Sequence, residues 1–464
     1  MQLSHARPIA AVRFDDPNLV SAAGLVPLMA LAEAAGLRTL ANAHLSVPTD
    51  KGANAGLKVS SLVAGMVAGA DCIDDMALLR HGGMGRLFDG AYAPSTLGSF
   101  LRAFTFGHVR QLDAVASRVL GSLAASTPIV AGIDGMALVD IDDTIVEVHG
   151  YGKAGAGFGY SGVRGLNALA ATVTTASSAP VIVATRLRKG SANSARGAAR
   201  ITADALATVT RLRSTGATGM VLVRADSAYF GRPTVLAAIK GGAKVSITVR
   251  QDATIRAAIA GIPDDAWTAI DYPNAVFDEA TGAWISVAEV AEIPFTAFAA
   301  ARKADHVPGR LVVRRIPDLN PPADPAQASL FDVFRFHAFF TTSDLPTIEA
   351  DKVHRGHAII EQVFADLKGS ALAHLPSGSF AANSAWLVLA SIAFNLTRSL
   401  GSTAGGPNAK ATTATIRRKI IHVPARIARS ARRLTLHLPT AWPWQTAWEA
   451  VFQTAHGPPA SAPT

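Results

Sequence analysis

The stretch AGIDGMALVDIDDTIVEVHG, residues 131 to 150, has the pattern of a β-strand that carries carboxylates on one face. Asp140 and Asp142 alternate with Val139 and Ile141, so a strand here places both acids opposite its apolar side chains. Aspartate is disfavoured inside strands. Two aspartates on the same face of one strand therefore call for a functional explanation.

The segments that follow this strand predict a mixed α/β fold. A glycine-rich turn is followed by apolar runs in LNALAATVTT and PVIVATRL, a helix from about Ser194 to Arg213, the strand MVLVRAD, a short helix in PTVLAAIKGG and the strand KVSITVR. In MVLVRAD a continuous apolar run ends at Asp226, as a buried parallel strand does when it delivers a residue to its C-terminal edge.

A third carboxylate lies in HRGHAIIEQVFADLKGSALAHLPSG, residues 354 to 378. Helical spacing places His354, His357, Glu361 and Lys368 on one side. The opposite side is apolar and consists of Ile359, Ile360, Val363, Phe364 and Leu367. The pattern predicts one amphipathic helix, and a solvated surface face is the plainer interpretation of its polar side. With the two aspartates, Glu361 completes an oxygen-ligand set suited to Mg²⁺ or Mn²⁺.

Asp142, Asp226 and Glu361 resemble the Asp, Asp, Glu triad of bacterial insertion-sequence transposases. The resemblance is to the insertion sequence thirteen-eighty group and a Tyr-x2-Arg-x3-Glu-x6-Lys signature. Glu361 and Lys368 match its last two positions, whereas His354 and His357 stand where Tyr and Arg are expected. The segments DIDDT, GAGFGYSGVRGLNALAATV, RLRKGSANSARGAAR, RADSAYF and IEQVFADLKGSALAHLPSG also resemble this family, over about residues 1 to 440.

The resemblance implies an α/β protein with an RNase H-like catalytic core. Its expected parts are a helical N-terminal DNA-binding region at 1–130, the first part of the core at 131–250, a β-rich insertion at 251–346, the second part of the core with the glutamate helix at 347–400, and a basic C-terminal region at 401–464. The insertion of this family can supply an aromatic side chain that stacks on a displaced base. Trp284 is a candidate, and a buried core tryptophan is the alternative.

The implied activity is DNA transposition: metal-dependent cleavage at the transposon ends and strand transfer into target DNA. Asp142, Asp226 and Glu361 would be the catalytic residues and would bind two Mg²⁺ ions, with Mn²⁺ as a substitute. The expected DNA-contacting residues are Lys368, His354, His357, Arg355, Arg186, Arg188 and Lys189. A homodimer that holds both terminal inverted repeats is also implied by the family.

The sequence also predicts the orientation of two acidic residues close to Asp142. Asp140 faces the same way and is expected either to support a metal ligand without touching the metal or to be an alternative ligand itself, whereas Asp143 points to the opposite face of a regular strand.

Composition agrees with a folded protein that binds a polyanion. Hydrophobic residues make up 49% of 464 residues, and the net charge is +9. Cys72 is the one cysteine, which excludes an internal disulfide and suits a reducing cytoplasm. No signal peptide is apparent, and the apolar run from Ala385 to Phe394 is too short to span a bilayer. We therefore expect a cytoplasmic, nucleoid-associated protein without a membrane partner.

Parts of the sequence are also compatible with two other functions. DIDDT after an apolar strand also fits the opening motif of haloacid-dehalogenase-like phosphatases, with Asp140 as nucleophile and Asp142 as acid. Those enzymes end with an acidic loop that RADSAYF does not match. A catalytically inactive DNA-binding relative is the other alternative. The presence of all three carboxylates argues against it, and the histidines at signature positions favour it.

Overall fold

The structure, a computed structural model, describes residues 11–88, 90–278, 282–317, 334–431 and 433–457. Its N-terminal part is helical, as the resemblance led us to expect. The helices there are α1 (Leu25–Ala34), α2 (Leu37–His44), α3 (Thr49–Gly52), α4 (Ala55–Val67), α5 (Pro94–Arg102) and α6 (Phe106–Ser126). The later helices are α7 (Ala198–Leu212), α8 (Arg232–Lys240), α9 (Ala253–Ala260), α10 (Thr347–Arg355), α11 (Ile359–Lys368), α12 (Phe380–Ala404), α13 (Thr413–Ile416) and α14 (Gln445–His456).

The strands form one large sheet and one small sheet. They are β1 (Leu19–Val20), β2 (Ala137–Glu147), β3 (Gly157–Phe158), β4 (Arg164–Thr174), β5 (Val181–Lys189), β6 (Val221–Ala225), β7 (Lys244–Thr248), β8 (Thr268–Asp278), β9 (Ala283–Ala297), β10 (Val307–Pro317), β11 (Phe334–Thr341), β12 (Ala425–Ser430) and β13 (Arg433–His437). The small sheet joins β1, β12 and β13.

The large sheet has the spatial order β5, β4, β2, β6, β7, β11, β10, β9, β8, and β3 pairs with the first residues of β4. Strands β2, β6 and β7 are parallel to one another, whereas β4 and β5 are antiparallel to their neighbours. The mixed α/β class predicted from the sequence is thus confirmed. Strands β8 to β11 do not form a separate sheet, because β11 pairs antiparallel with β7 and continues the same one.

The two faces of the sheet are covered by different helices. Alternate residues of β2 and β4, such as Ile141 and Leu169, pack with α7 and α8, and the opposite residues, such as Val146 and Ala168, pack with α11 and α12. The N-terminal helices surround α12 and complete the larger core. Because β2 has helices on both faces, its polar residues need partners or a function.

Helix α12 contains the apolar run from Ala385 to Phe394, and it is longer than that run. In length and composition it could cross a membrane, but 89% of its most apolar window is buried inside the protein. Ser379 caps its N-terminus by accepting a hydrogen bond from the amide of Ala382. It is therefore a core helix of the protein.

The prediction of one continuous helix over residues 354 to 368 is wrong. Helix α10 ends at Arg355, a 3-10 turn spans Gly356–Ala358, and α11 begins at Ile359. His354 is buried and His357 is half-buried, whereas Glu361 and Lys368 are exposed. The four polar residues therefore do not share one continuous helical stripe.

Candidate active site

Asp142 and Asp226 lie side by side on neighbouring parallel strands. Ile141 of β2 is paired with Ala225 of β6, and each aspartate is the next residue along its chain. Asp226 directly follows the end of β6, and its Oδ1 accepts a hydrogen bond of 2.5 Å from the amide of Ser227. Neighbouring strands lie roughly 4.8 Å apart. This pairing therefore brings together two carboxylates that are far apart in the sequence.

Glu361 reaches this position from α11. The apolar side of the helix is buried through Ile360, Val363, Phe364 and Leu367. Because that side packs into the core beside β2, Glu361 in the first turn is left exposed on the polar side. The apolar face predicted from the sequence is thus what orients the carboxylate.

The electrostatics of Asp142 show that the three carboxylates are close enough to interact. Burial, together with the negative charges of Asp143, Asp226 and Glu361, raises the pKa of Asp142 to about 7. The amide of Asp143, which donates to Asp142 Oδ1 over 2.8 Å, acts in the opposite direction. Asp142 therefore lies in a locally acidic setting that favours either a proton or a bound cation.

Within the described ranges, none of these three carboxylates has a salt bridge to a cationic side chain. Other acids around the sheet are paired with arginines, as Asp140 is with Arg224. Three unpaired carboxylates on one face form a hard oxygen donor set, which suits a divalent cation. The donor set fits the metal that the sequence led us to expect.

A second group of potential ligands lies elsewhere. In the described part of the chain, atoms of Asp71, Cys72 and Asp75 lie within 4.8 Å of one another. Asp75 Oδ2 also accepts a weak hydrogen bond of 3.4 Å from the amide of Asp71, just before the 3-10 helix Asp74–Leu79. That contact gives this group a structural role in the turn.

Asp140 is not positioned as a metal ligand. Its side chain is 1% exposed, and it forms a bidentate salt bridge with Arg224, with Nε to Oδ1 at 2.7 Å and Nη2 to Oδ2 at 2.8 Å. The prediction of an alternative ligand is therefore corrected, because both oxygens are occupied. The phosphatase alternative is contradicted as well, since its nucleophile would be this buried, neutralised carboxylate.

Asp143 points to the opposite face of β2, as the strand alternation predicted. Its Oδ2 accepts hydrogen bonds from Arg188, at 2.7 Å, and from Asn167, and its Oδ1 accepts one from the hydroxyl of Tyr229. Burial, reinforced by Asp143, raises the pKa of Tyr229, so the hydroxyl remains a donor. Tyr229 was not among the residues predicted from the sequence, although it lies three residues after Asp226 in the RADSAYF segment.

The expected DNA contact through Arg188 is corrected. This side chain is 5% exposed, and besides Asp143 it donates to the carbonyls of Asn193, Ser194 and Arg196. Arg188 therefore connects the loop after β5 to Asp143, on the face of β2 opposite to Asp142. A guanidinium with this many internal partners is unavailable to a phosphate.

Arg186 and Lys189 differ in their surroundings. Arg186 is 20% exposed and pairs with Asp204 at 2.9 Å, close to Asp113. Burial raises the pKa of Asp113 to about 6, against the effect of its arginine neighbours. Lys189 is exposed at the end of β5. Of these two side chains, only that of Lys189 is exposed, as a contact with DNA requires.

His354 is also corrected as a DNA contact. Its ring is buried and stacked on Phe339, with centroids 4.0 Å apart, and it is hydrogen-bonded to Ser246 at 2.9 Å and Thr248 at 3.1 Å. Burial lowers the pKa of His354 well below its ordinary value, and His357 adds to this shift. The imidazole of His354 is therefore neutral and enclosed. It joins α10 to β7, so its role is structural.

The remaining signature residues lie nearer the surface. His357 is half-buried in the 3-10 turn and is hydrogen-bonded to the His354 carbonyl at 2.8 Å. Arg355 pairs with the buried Asp351 at 2.8 Å. Lys368 is exposed in the last turn of α11, and partial burial lowers its pKa.

An α/β sheet that presents clustered carboxylates on a basic protein defines the class of a nucleic-acid phosphoryl-transfer enzyme. The comparison with protein families agrees: the chain matches the family described as Transposase DDE domain group 1 over residues 2–456. The chain belongs to this family, whose members catalyse DNA transposition with divalent metal. The transposase function expected from the sequence is confirmed at this level. No curated protein matches the chain.

Proposed function

We propose that this chain is the transposase of a bacterial insertion sequence of the thirteen-eighty group, and that Asp142, Asp226 and Glu361 are its catalytic carboxylates. The observation that carries this proposal is the convergence of these three side chains, without cationic partners among the described residues, from two strands and a helix. The order β5, β4, β2, β6, β7 supports an RNase H-like catalytic core.

The proposed reaction has two stages. Water attacks the phosphorus atom at each transposon end and the bond to the 3′-oxygen breaks, which leaves a 3′-hydroxyl. That hydroxyl then attacks a phosphodiester of the target DNA, a new bond to phosphorus forms, and the target strand's own 3′-oxygen leaves. Both stages are in-line displacements that need the same arrangement of charges.

The cofactor proposed is Mg²⁺, with Mn²⁺ as a substitute, held by Asp142, Asp226 and Glu361. When bound, the metal would activate the attacking oxygen and stabilise the leaving one. The chain contributes negative charge at fixed positions, since the sheet holds two carboxylates and the packed helix holds the third. Neutralising this charge would lower the pKa of Asp142 again, because the carboxylates that raise it would then be compensated.

Lys368 is the proposed phosphate contact closest to the chemistry. It lies two turns after Glu361 on α11, roughly 10 Å along the helix axis at 1.5 Å per residue. It is an exposed lysine, so it can pair with a backbone phosphate beside the scissile bond. Lys189, His357 and Arg355 remain proposed DNA contacts because each is at least partly exposed.

The basic C-terminal region supports further backbone contacts. Hairpin β12–β13 carries exposed arginines at Arg426, Arg429 and Arg433, and Arg418 is exposed just before it. Arg417 differs, because it is half-buried and its Nε donates to the Val67 carbonyl at 2.9 Å. We assign the hairpin to DNA binding and Arg417 to packing.

The exposure of Trp284 supports a role for this side chain at the cleaved DNA end. It is 68% exposed on the β8–β9 hairpin, beside Phe277 with ring centroids 5.3 Å apart. This exposure contradicts the alternative of a buried core tryptophan. We propose that Trp284 stacks on a displaced base, and that a homodimer holds two ends together in the bacterial cytoplasm, in association with the nucleoid.

Strand cleavage tests the proposal. A labelled duplex that carries the element's own terminal repeat is incubated with Mg²⁺ and the wild type or Asp142→Ala, Asp226→Ala or Glu361→Ala. We expect metal-dependent nicking at the element boundary, lost in all three variants while DNA binding persists. Salt-sensitive end binding without cleavage by the wild type would favour the inactive DNA-binding relative. Activity that survives Asp226→Ala would refute the triad.

A further inference from the structure

The buried ion pair between Asp140 and Arg224 lies directly behind the candidate active site. Asp140 precedes Asp142 by two residues on β2, and Arg224 precedes Asp226 by two residues on β6. The two side chains are 1% and 2% exposed. Strands β2 and β6 therefore each contribute one partner to a buried ion pair. In each strand this partner lies two residues before the aspartate of the candidate site.

Arg224 also holds the segment that leads to the third carboxylate. Its Nη1 donates to the carbonyl of Val353, and its Nη2 donates to the carbonyl of Gly356 at 3.3 Å. These carbonyls are at the end of α10 and in the turn before α11. One guanidinium thus joins β2, β6 and the start of the glutamate helix.

Gly356 shows how closely the backbone approaches this guanidinium. A Cβ added at this position would lie 3.0 Å from Arg224 Nη1, tighter than nine in ten real Cβ contacts. A side chain at residue 356 would therefore require the guanidinium or the turn to shift by a few tenths of an ångström. Glycine is needed here for close approach and not for an unusual backbone angle, since its φ is not positive.

Burial of such a pair is costly unless its hydrogen bonds are well made, and replacement by apolar residues of similar volume is often neutral or stabilising. Stability alone is thus a weak reason for placing two charges here. A geometric reason is stronger, because the planar guanidinium bonds a carboxylate and two carbonyls in fixed directions. Misplacement of a catalytic group by 1 Å can cost about 10²-fold in rate.

We propose that Asp140 and Arg224 are positioning residues that fix the distances between Asp142, Asp226 and Glu361 and so set the affinity of the site for its divalent cation. They touch neither DNA nor metal and act through the backbone of three elements. This inference rests on the proposed function of the triad. It assigns to Asp140 a role different from that of a ligand.

The test uses the full chain and the double variant Asp140→Leu/Arg224→Met, which removes both charges and leaves neither unpaired. We expect the variant to fold and to bind end DNA like the wild type. We expect the Mg²⁺ concentration for half-maximal cleavage to rise about 10- to 100-fold, as for loss of groups that orient metal ligands. The rise in thermal midpoint on adding Mg²⁺ should shrink in parallel, and this readout does not depend on cleavage.

Two further variants separate positioning from general stability. Gly356→Ala keeps both charges and should shift the Mg²⁺ dependence in the same direction, to a smaller extent. Arg213→Met is the matched control, because Arg213 also bonds two carbonyls, those of Asp134 and Gly219, near the opposite ends of β2 and β6. It should leave the Mg²⁺ dependence unchanged.

The outcomes distinguish the two proposals. A double variant with wild-type Mg²⁺ dependence, or an equal shift in Arg213→Met, would overturn the positioning role while the triad stands. A wild type that neither cleaves nor responds thermally to Mg²⁺ would instead overturn the proposed function on which it rests.

Discussion

Asp142 on β2 and Asp226 at the end of β6 each follow the paired residues Ile141 and Ala225, so the register of two parallel strands brings their carboxylates together. Asp142 lies within its strand, and Asp226 is fixed just beyond its strand by the hydrogen bond from the amide of Ser227. The cost of this arrangement is electrostatic. It is visible in the raised pKa of Asp142.

The first prediction concerns the stability of the metal-free protein. Asp142 has an ordinary pKa of 3.8 and a folded-state pKa of about 7, so ionisation of this group destabilises the fold increasingly from pH 3.8 to about 7 and by a constant amount above. Asp142→Asn should therefore raise the thermal midpoint, with EDTA present, more at pH 8 than at pH 5. The exposed Asp344→Asn serves as control. An equal gain at both pH values would contradict the raised pKa.

The second prediction concerns His354. Its folded-state pKa lies well below the unfolded value of 6.5, so its contribution to stability is present above pH 6.5 and is lost as the pH falls below it. The loss is up to about 1.4 kcal/mol per pH unit. Unfolding of His354→Gln should depend less on pH between 6.5 and 5 than unfolding of the wild type. His149→Gln, at a histidine that is 90% exposed, should behave like the wild type.

The third prediction compares two exposed lysines on helices that pack against different faces of the sheet. Lys368→Ala should weaken end binding and reduce the slope of log K against log salt by about 1, because one phosphate contact is lost. Lys240→Ala is the control, since Lys240 is exposed on α8, which packs against the other face of the sheet. An unchanged slope in Lys368→Ala would remove Lys368 from the DNA interface.

The fourth prediction concerns the exposed tryptophan. Trp284→Ala should weaken binding of a cleaved end by about 1 to 3 kcal/mol, the range for one base stacked on an aromatic side chain. Trp284→Phe should retain most of the affinity, because an aromatic face remains. A fluorescent base analogue at the terminal positions reports the stacking directly. Fluorescence that is the same with wild type and Trp284→Ala would contradict the assignment.

Much of the fold was predictable from local patterns. The alternation in β2 correctly predicted that Asp140 and Asp142 share one face and that Asp143 lies on the other, because side chains alternate along any regular strand. The apolar spacing in α11 correctly predicted which side is buried. The convergence of the carboxylates was expected from the resemblance and from the order of the elements, not from any single segment.

The partners of charged side chains were decided by tertiary structure alone. Arg188 and Lys189 are neighbours in the sequence, yet one is enclosed with Asp143 and the other is exposed, because β5 turns successive residues to opposite faces beside different neighbours. The sequence by itself determined most of the elements, their apolar faces and the residue types of the proposed catalytic site. Only the packing of distant segments decided which acids are neutralised by arginine and which stay unpaired, since that depends on contacts no local pattern encodes.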